Sequence, residues 1–201
     1  MTFAGKFSDS LIEEQLDNLS VSFLVDDLQV RRGGVAANIA FSLGRFDLDP
    51  ILVGAVGLDF SDYRSWLVRH GVDVESIHES KAAHTARFVC TTDDSMAQIA
   101  TFYAGAMSEA RMIELGPIHE RWDLDLVLIG ADDPEAMLRH TEECRTRGIR
   151  FIADPSQQLA FAEGPFIRQL IDGADYLFTN EYESYLTETK TGWSQDEIDS
   201  R

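Results

Sequence analysis

Short apolar runs alternate with longer amphipathic stretches through the second half of the chain. The apolar runs have the length of strands, and the stretches between them have the length and spacing of helices. The predicted strands cover residues 124–129, 150–153 and 176–178, and the predicted helices cover residues 134–147, 165–171 and 182–187. This alternation predicts an α/β fold with a parallel sheet and right-handed crossovers. Ligands of such sheets bind at the carboxyl ends of the strands, where Gly130, Asp154 and Asn180 stand.

The first half of the chain adds one more strand between two helices. Residues 36–46 are rich in alanine and leucine, which predicts a buried helix. Residues 50–57 form a continuous apolar run, which is typical of a parallel strand buried on both faces. Ser61 is a candidate N-cap for a helix over 62–70, and Gly71 is placed to end that helix.

A different pattern predicts a small antiparallel element. Residues 85–92 and 96–103 both have strand composition, and the polar residues 93–95 between them are typical of a hairpin turn. Alternating apolar and polar positions over 19–25 predict one further strand. A short helix is predicted to begin at Ser108 and to end near Gly116.

The composition excludes several classes of function. Of the 201 residues, 17 are Lys or Arg and 35 are Asp or Glu, so the net charge is −18. Such a surface repels nucleic acids and anionic lipids, and we therefore expect neither as a partner. No apolar run approaches the ~18 residues of a membrane span. Cys90 and Cys144 lie far apart without metal-ligand spacing, which indicates reduced thiols and a cytoplasmic protein.

Two adjacent glycines before the first long predicted helix form the first candidate site. Gly33 and Gly34 allow a turn with positive φ and a close approach of the backbone to a ligand. Asn38, one turn into the helix, either binds the backbone or faces a ligand. The alternative is a plain strand–turn–helix junction with a capping amide. The spacing matches neither a Walker A loop nor Gly-x-Gly-x-x-Gly, so a dinucleotide oxidoreductase is disfavoured.

Six segments in the same order along the chain carry a resemblance to a known family. They are Gly-Gly-Val-Ala-Ala-Asn-Ile-Ala at 33–40, Val-Gly-Ala-Val-Gly-Leu-Asp at 53–59, Ala-His-Thr-Ala-Arg-Phe at 83–88, Phe-Tyr-Ala-Gly-Ala-Met-Ser-Glu-Ala at 102–110, Asp-Pro-Ser-Gln-Gln-Leu at 154–159 and Phe-Thr-Asn-Glu-Tyr-Glu at 178–183. Together they resemble the ribokinase-like (PfkB) carbohydrate and nucleoside kinases, and among these the adenosine kinases of actinobacteria.

The resemblance implies a fold and an activity. The expected fold is a partial three-layer αβα parallel sheet with a small β lid. The lid segments are expected at about 3–30 and 82–106, and the α/β core at about 31–81 and 107–201. The expected activity is ATP-dependent phosphorylation of a sugar or nucleoside hydroxyl, with adenosine as the first candidate. In this family the lids of two subunits clasp each other, so a homodimer is expected.

The resemblance also assigns substrate-binding residues. Gly33, Gly34 and Asn38 are expected to bind the ribose hydroxyls. The other expected substrate contacts are Ser22, Phe88, Phe102, Gln157 and Gln158. The phenylalanines would stack on a purine, and the glutamines would contact the base or ribose. Ordinary packing of the phenylalanines, and a solvated position for one glutamine, remain alternatives.

Asn180 and Glu183 form an Asn-x-x-Glu pattern where a strand ends and a helix begins. In the resembled family this pattern orders Mg²⁺ and the phosphates of ATP, largely through water, so no direct metal ligand is expected. The same spacing is used for helix capping, which is the alternative.

The resemblance also implies that parts of the kinase are missing. The family has an earlier strand that binds substrate hydroxyls, and a later Gly-Ala-Gly-Asp segment with the anion hole and the catalytic base. No Gly-Ala-Gly-Asp occurs in this sequence. Ser194 and Glu197 predict a capping box only a few residues before the last residue, so the sequence looks cut. We therefore expect no catalytic residue in this chain and little activity from it alone. The alternative is an inactive nucleoside-binding or dimerising fragment.

Overall fold

A computed structural model describes residues 1–11 and 20–201. The helices are α1 (Phe7–Ser10), α2 (Val35–Arg45), α3 (Ser61–Arg69), α4 (Leu115–Trp122), α5 (Pro134–Arg147), α6 (Gln158–Phe161), α7 (Gly164–Ile171), α8 (Glu181–Thr191) and α9 (Gln195–Asp199), with a 3-10 helix at Gly105–Met112. The strands are β1 (Gly54–Val56), β2 (Ile77–Glu79), β3 (Arg87–Thr92), β4 (Gln98–Tyr103), β5 (Leu126–Ile129), β6 (Arg150–Ala153) and β7 (Tyr176–Leu177).

The chain divides into two compact units. The smaller unit contains Met1–Arg32 and Ala86–Gly105, and the larger contains Gly33–Thr85 and Ala106–Arg201. The expected lid segments at 3–30 and 82–106 largely coincide in sequence with the smaller unit, and its action as a lid stays a prediction. Among the described residues, no helix is long and apolar enough to cross a bilayer.

The larger unit contains the parallel strands that the alternating pattern predicts. Strands β5, β6 and β7 pair in that order, all parallel, with Leu126 opposite Arg150 and Ile152 opposite Tyr176. Strands β1 and β2 form a second parallel pair. Helices connect the strands of the three-stranded sheet, as parallel pairing requires. The α/β class is therefore confirmed.

Residues 51–56 pack on both of their faces, which explains their unbroken apolar sequence. Ile51, Val53 and Ala55 pack against one core, built from α4, α5, α7, β5 and β6. Leu52 and Val56 belong to the other core, which α2 and α3 cover. Because successive side chains of a strand point to opposite faces, this division places helices on both sides of the strand. Only the last part of the predicted 50–57 strand is regular, with an isolated bridge at Ile51.

The ends of several helices follow directly from local sequence. Asp133 caps α5 by accepting a hydrogen bond from the Ala136 N–H, and Gly148 ends that helix with φ 69°. The predicted capping box of Ser194 and Glu197 is confirmed at α9. The predicted Ser61 cap is wrong, because α3 already includes Ser61 and Phe60 occupies the N-cap without a side-chain hydrogen bond.

One further local prediction differs from the structure, and two short elements had no prediction. The helix predicted from Ser108 is a 3-10 helix that ends at Met112, and Gly116 lies inside α4. Strand β2 and helix α6 were not predicted, because elements of three or four residues are too short to show a period. Each is held instead by contacts with neighbouring elements.

The smaller unit is built on the predicted hairpin. Strands β3 and β4 pair antiparallel, and the N-terminal residues add to β3 through a bridge between Thr2 and Thr92. No strand forms over residues 20–25, and Leu19, the first residue of the predicted strand, lies outside the described residues. Three phenylalanine rings, of Phe3, Phe7 and Phe23, pack together and replace the expected strand contacts.

Asp93 organises the turn of this hairpin. Its carboxylate is buried and accepts hydrogen bonds from the backbone N–H groups of Phe7, Ser95 and Ala97 and from the Ser95 hydroxyl. The Phe7 N–H, followed by the groups of Ser95 and Ala97, holds the pKa of Asp93 below its ordinary 3.8, although burial opposes this. Asp93 therefore stabilises the fold above pH 3.8, and this contribution is lost as the pH falls through the lower folded pKa.

We expect Asp93→Ala to expose the amides of the hairpin to solvent exchange. The substitution removes four acceptor interactions, among them the buried one that holds the Phe7 N–H. Amide hydrogen exchange should accelerate in β3, β4 and the Phe7 turn, whereas β5 and β6 should be unchanged. Asp94→Ala is the matched control, because Asp94 is exposed and its carboxylate accepts from the Gly5 N–H at 2.8 Å, a single bond at the surface of the described hairpin. Equal exchange in the two variants would contradict the assigned role of Asp93.

Candidate functional site

Four elements of the larger unit meet at the carboxyl edge of the sheet. A Cβ placed on Gly130, after β5, would lie 3.3 Å from Val35 Cγ1, at the start of α2. The Asp154 N–H, after β6, donates to Ile129 O at 2.9 Å. Burial raises the pKa of Asp154, and the negative charge of Glu183 in α8 raises it further. The starts of α2 and α8 therefore share this edge with the ends of β5 and β6.

The paired glycines form the turn that leads into α2. Gly34 is the N-cap residue with φ 104°, a conformation that side chains rarely adopt. Gly33 lies outside that region, and its carbonyl accepts a hydrogen bond from the Tyr63 hydroxyl at 3.1 Å. The predicted positive φ is thus confirmed at one of the two glycines. Gly34 has no side chain with which to cap α2, so the first N–H groups of the helix have no side-chain acceptor on their N-cap residue.

Asn38 does not cap the helix. Its N–H donates to Gly34 O within α2, and its side chain is exposed. Gly34 is the cap residue, so the alternative of a capping amide is wrong for Asn38. The side-chain amide is therefore available for a ligand.

Asn180 and Glu183 cap α8 reciprocally. Asn180 Oδ1 accepts from the Glu183 N–H at 2.9 Å, and Glu183 Oε2 accepts from the Asn180 N–H at 3.0 Å. Capping uses one oxygen of the carboxylate and leaves the other oxygen and the Asn180 NH₂ group for further partners. The capping alternative is thus what the structure shows, and an additional role toward phosphate stays a prediction.

The two glutamines occupy different environments after β6. Gln157 is exposed, whereas Gln158 is half-buried and its Nε2 donates to Asp132 O at 2.9 Å. Ser156, just before them, has φ 45°, which is uncommon for a residue with a side chain. The bond from Gln158 joins the loop after β6 to the loop after β5.

Asp132 is a candidate site residue that the sequence analysis missed. Burial raises its pKa from 3.8 to about 6, the Asp133 charge adds to the rise, and a hydrogen bond from the Asp133 N–H opposes it. Asp133 itself is committed to capping α5 and to an ion pair with Arg111, whose Nη2 lies 2.6 Å from Oδ2. The sequence did contain a signal for it. Two carboxylates, Asp132 and Asp133, follow β5, and the cap of α5 needs only one of them.

The remaining predicted substrate contacts belong to the smaller unit. Phe88 and Phe102 are direct cross-strand partners in β3 and β4, with 67% and 58% of their surface exposed. They lie on one face of the hairpin and could present both rings to a ligand or a partner. Ser22 is exposed and lies outside any strand.

The carboxylates at the carboxyl edge are of a type that a hydrated cation accepts. Asp154 and Glu183 supply carboxylate oxygens, which Mg²⁺ prefers. Within residues 1–11 and 20–201 there is no group of three or more His, Cys, Asp or Glu side chains arranged to bind a metal. Mg²⁺, which usually keeps several waters, fits this arrangement through those waters.

Comparison with known proteins identifies the family. The model of the pfkB family carbohydrate kinases matches residues 5–201. The nucleoside kinase of Methanothermobacter thermautotrophicus is 33% identical over 153 residues, which cover 75% of this chain and 49% of that protein. An ATP-dependent ribose-1-phosphate kinase of Halopiger xanaduensis is 28% identical over 158 residues, covering 75% of this chain and 50% of that protein. The chain thus spans about half the length of these relatives.

A solved structure supports the same assignment. The nucleoside kinase of Burkholderia thailandensis in complex with inosine is 34% identical, has a TM-score of 0.84, and is matched by 100% of this chain over 63% of its own length. Its similarity confirms the expected ribokinase-like fold. This chain therefore belongs to the pfkB family of carbohydrate kinases.

Proposed function

We propose that this chain is part of a kinase that phosphorylates a purine nucleoside with ATP, and that adenosine is its substrate. The observation that carries the proposal is the meeting of the α2 turn, the ends of β5 and β6 and the start of α8 at one edge of the sheet. Inosine in the Burkholderia relative supports a purine nucleoside as the class of substrate.

Each part of this edge has a proposed task. The Gly33–Gly34 turn brings backbone close to the ribose, and the Asn38 amide binds its hydroxyls. Gln157 faces the base. Gln158 holds the loop after β6 to the loop after β5 through its hydrogen bond to Asp132 O. Asp132, ionised above pH 6, accepts a hydrogen bond from a substrate hydroxyl.

The phosphate end of the site is proposed at the start of α8. Glu183 would hold hydrated Mg²⁺ with its free carboxylate oxygen, and Asn180 would donate its NH₂ group to phosphate. When bound, Mg²⁺ supplies positive charge that offsets the charge of ATP. The chain has no Gly-Ala-Gly-Asp segment, so we propose that the catalytic base is absent and that this chain alone is inactive.

The smaller unit is proposed to act as a lid and as a dimer contact. Phe88 and Phe102 expose a paired aromatic surface, and Ser22 is exposed in the same unit. Exposed strand edges favour pairing with another chain, which supports a homodimer through the lid. Cys90 and Cys144 are free thiols, which suits a reducing compartment such as the cytoplasm.

Two measurements test the proposal. Calorimetry with adenosine, inosine and ribose should show binding of the purine nucleosides, and a coupled assay with adenosine and Mg-ATP should show no turnover by this chain. Binding without turnover supports the inactive-fragment form of the proposal. Robust turnover would refute the claim about the base, and absence of purine nucleoside binding would refute the substrate assignment.

We expect Asn38→Ala to weaken nucleoside binding roughly fivefold, the equivalent of about 1 kcal/mol for a lost hydrogen bond. The amide is exposed, so the fold should be unaffected. Calorimetry with adenosine measures the change. Ser42→Ala, one turn further along α2, is the matched control, since its hydroxyl donates to Asn38 O. If the two variants bind adenosine equally well, Asn38 does not contact the ribose.

A further inference from the structure

Lys190 makes an unusual set of contacts near the end of α8. Its Nζ donates to three backbone carbonyl oxygens, those of Leu159 at 2.7 Å, Ala160 at 2.9 Å and Ala162 at 3.0 Å. An ammonium group has three N–H donors, so all of its donors are directed to one short stretch of backbone. That stretch is the carboxyl end of α6.

Helix α6 needs such an anchor. It consists of a single turn of four residues, and one turn of helix in isolation is unstable because nucleation costs more than one hydrogen bond returns. Its last carbonyls have no partner within the helix. Lys190 satisfies these carbonyls and places a positive charge where the helix dipole favours one.

The backbone of Lys190 is itself held tightly. A Cβ on Gly164, in the first turn of α7, would lie 2.0 Å from Lys190 O, so these backbones are in close contact. Arg168 Nε donates to the carbonyl of the next residue, Thr191, at 2.9 Å. The ammonium group therefore extends from a rigid support to α6.

The opposite end of α6 belongs to the candidate site. Gln158 begins the helix and binds Asp132 O, while Gln157 precedes it and follows the strained Ser156. The site end of α6 is thus tied to the loop after β5, and its other end is tied to α8. Without the hydrogen bonds from Lys190, the helical turn next to the glutamines would be held only through Asp132 O.

We propose that Lys190 is a positioning residue for nucleoside binding, which locks α6 so that Gln157 and Gln158 keep their places at the carboxyl edge. This inference rests on the proposed function, because it takes Gln157 as a substrate contact and Gln158 as the residue that holds its loop. In this role Lys190 acts through the backbone of α6, to which its Nζ donates, and not by contact with substrate or phosphate. Through α8 it also couples the position of α6 to the helix that begins at Asn180.

The test compares Lys190→Met with a variant that removes an equivalent contact elsewhere. Arg145 Nη1 donates to Gln169 O at 2.8 Å and to Asp172 O at 2.9 Å, so it anchors the end of α7 as Lys190 anchors α6. Arg145→Met therefore matches the loss of a cation from helix carbonyls without touching α6. Lys190→Arg keeps the charge and several donors and serves as the rescue variant.

Two readouts are measured for each variant: the affinity for adenosine by calorimetry, and amide hydrogen exchange in α6. We expect Lys190→Met to weaken binding about fivefold and to accelerate exchange in α6. Lys190→Arg should recover most of the affinity. Arg145→Met should leave the affinity unchanged even where it lowers the melting temperature.

The possible outcomes separate this inference from the proposed function. If the wild-type chain binds adenosine and Lys190→Met binds it equally well, the positioning role is refuted. If Lys190→Met and Arg145→Met weaken binding to the same extent, the effect is one of general stability and the inference is likewise refuted. If the wild-type chain binds no nucleoside, the proposed function fails, while exchange in α6 still decides whether Lys190 anchors that helix.

Discussion

Gly57→Ala is expected to lower the free energy of unfolding by about 2–3 kcal/mol, an overpacking effect at the upper end of the usual range. A Cβ at this position would lie 2.2 Å from the carbonyl carbon of His84, 2.3 Å from the Thr85 nitrogen and 2.4 Å from Ala83 O. All three are backbone atoms, which cannot move aside as the end of a flexible side chain can. Either the loop after β1 or the segment 83–85 must shift.

The shift would also break the hydrogen bonds that join these two segments. The Gly57 N–H donates to Thr85 Oγ1 at 2.9 Å, and the Leu58 N–H donates to Ala83 O at 3.1 Å. The Thr85 N–H in turn donates to Asp59 Oδ1 at 2.8 Å. The bond from the Gly57 N–H is part-buried, so its loss adds to the steric cost.

Gly54→Ala provides the matched control for this prediction. Gly54 lies three residues earlier, in β1, and apart from its chain neighbours no atom in the described part of the chain would lie within 4 Å of a Cβ there. Alanine also restricts the unfolded chain more than glycine does, so the control variant should be neutral or slightly more stable. Urea denaturation of the three proteins measures the difference. A loss of stability as large in Gly54→Ala as in Gly57→Ala would rule out the steric explanation.

Asp132→Asn is expected to raise the free energy of unfolding at pH 7.5 by about 2 kcal/mol. Burial raises the pKa of Asp132 from 3.8 to about 6, which corresponds to roughly 3 kcal/mol, and partial exposure of the side chain reduces the effect. Asparagine removes the buried charge and keeps an oxygen for the Asp133 N–H, which Asp132 Oδ1 accepts at 2.8 Å.

The sign of the predicted change in the free energy of unfolding follows from the direction of the pKa shift. Because the folded pKa is raised, the native protein binds the proton more tightly than the unfolded chain does. The protonated carboxyl therefore stabilises the fold below pH 3.8, and this stabilisation is lost as the pH rises toward 6. Denaturation between pH 4 and 7 should show this loss in the wild type and not in Asp132→Asn.

Asp125→Asn is the control for Asp132→Asn. Asp125 is exposed at the opposite end of β5, so its replacement removes the same charge from the surface instead of from a buried position. A parallel slope in Asp132→Asn and the wild type would show that the charge of Asp132 costs no stability. A variant that is more stable but binds adenosine less tightly would indicate that this carboxylate is retained for the substrate rather than for the fold.

Local sequence determined the elements whose signals lie within a few residues. Helix α5 has the predicted bounds, because Asp133 caps its start, Pro134 suits its first turn and Gly148 allows the left-handed conformation at its end. The apolar run at 50–57 indicated a strand packed on both faces, since the pattern of burial is carried by the residues themselves. The six motifs in their order likewise predicted the family, and the match to the family model confirms it.

The tertiary structure decided what depends on groups distant in sequence. Helix α6 and strand β2 exist because neighbouring elements hold them, and no local period marks residues held in that way. The bond of Gln158 to Asp132 O spans 26 positions, and the anchor from Lys190 reaches Leu159 over 31. The raised pKa of Asp132 is likewise a property of its surroundings, because only the folded chain excludes water from that carboxyl. Sequence thus determined which residue types stand at the carboxyl edge, and folding determined their environment and their partners.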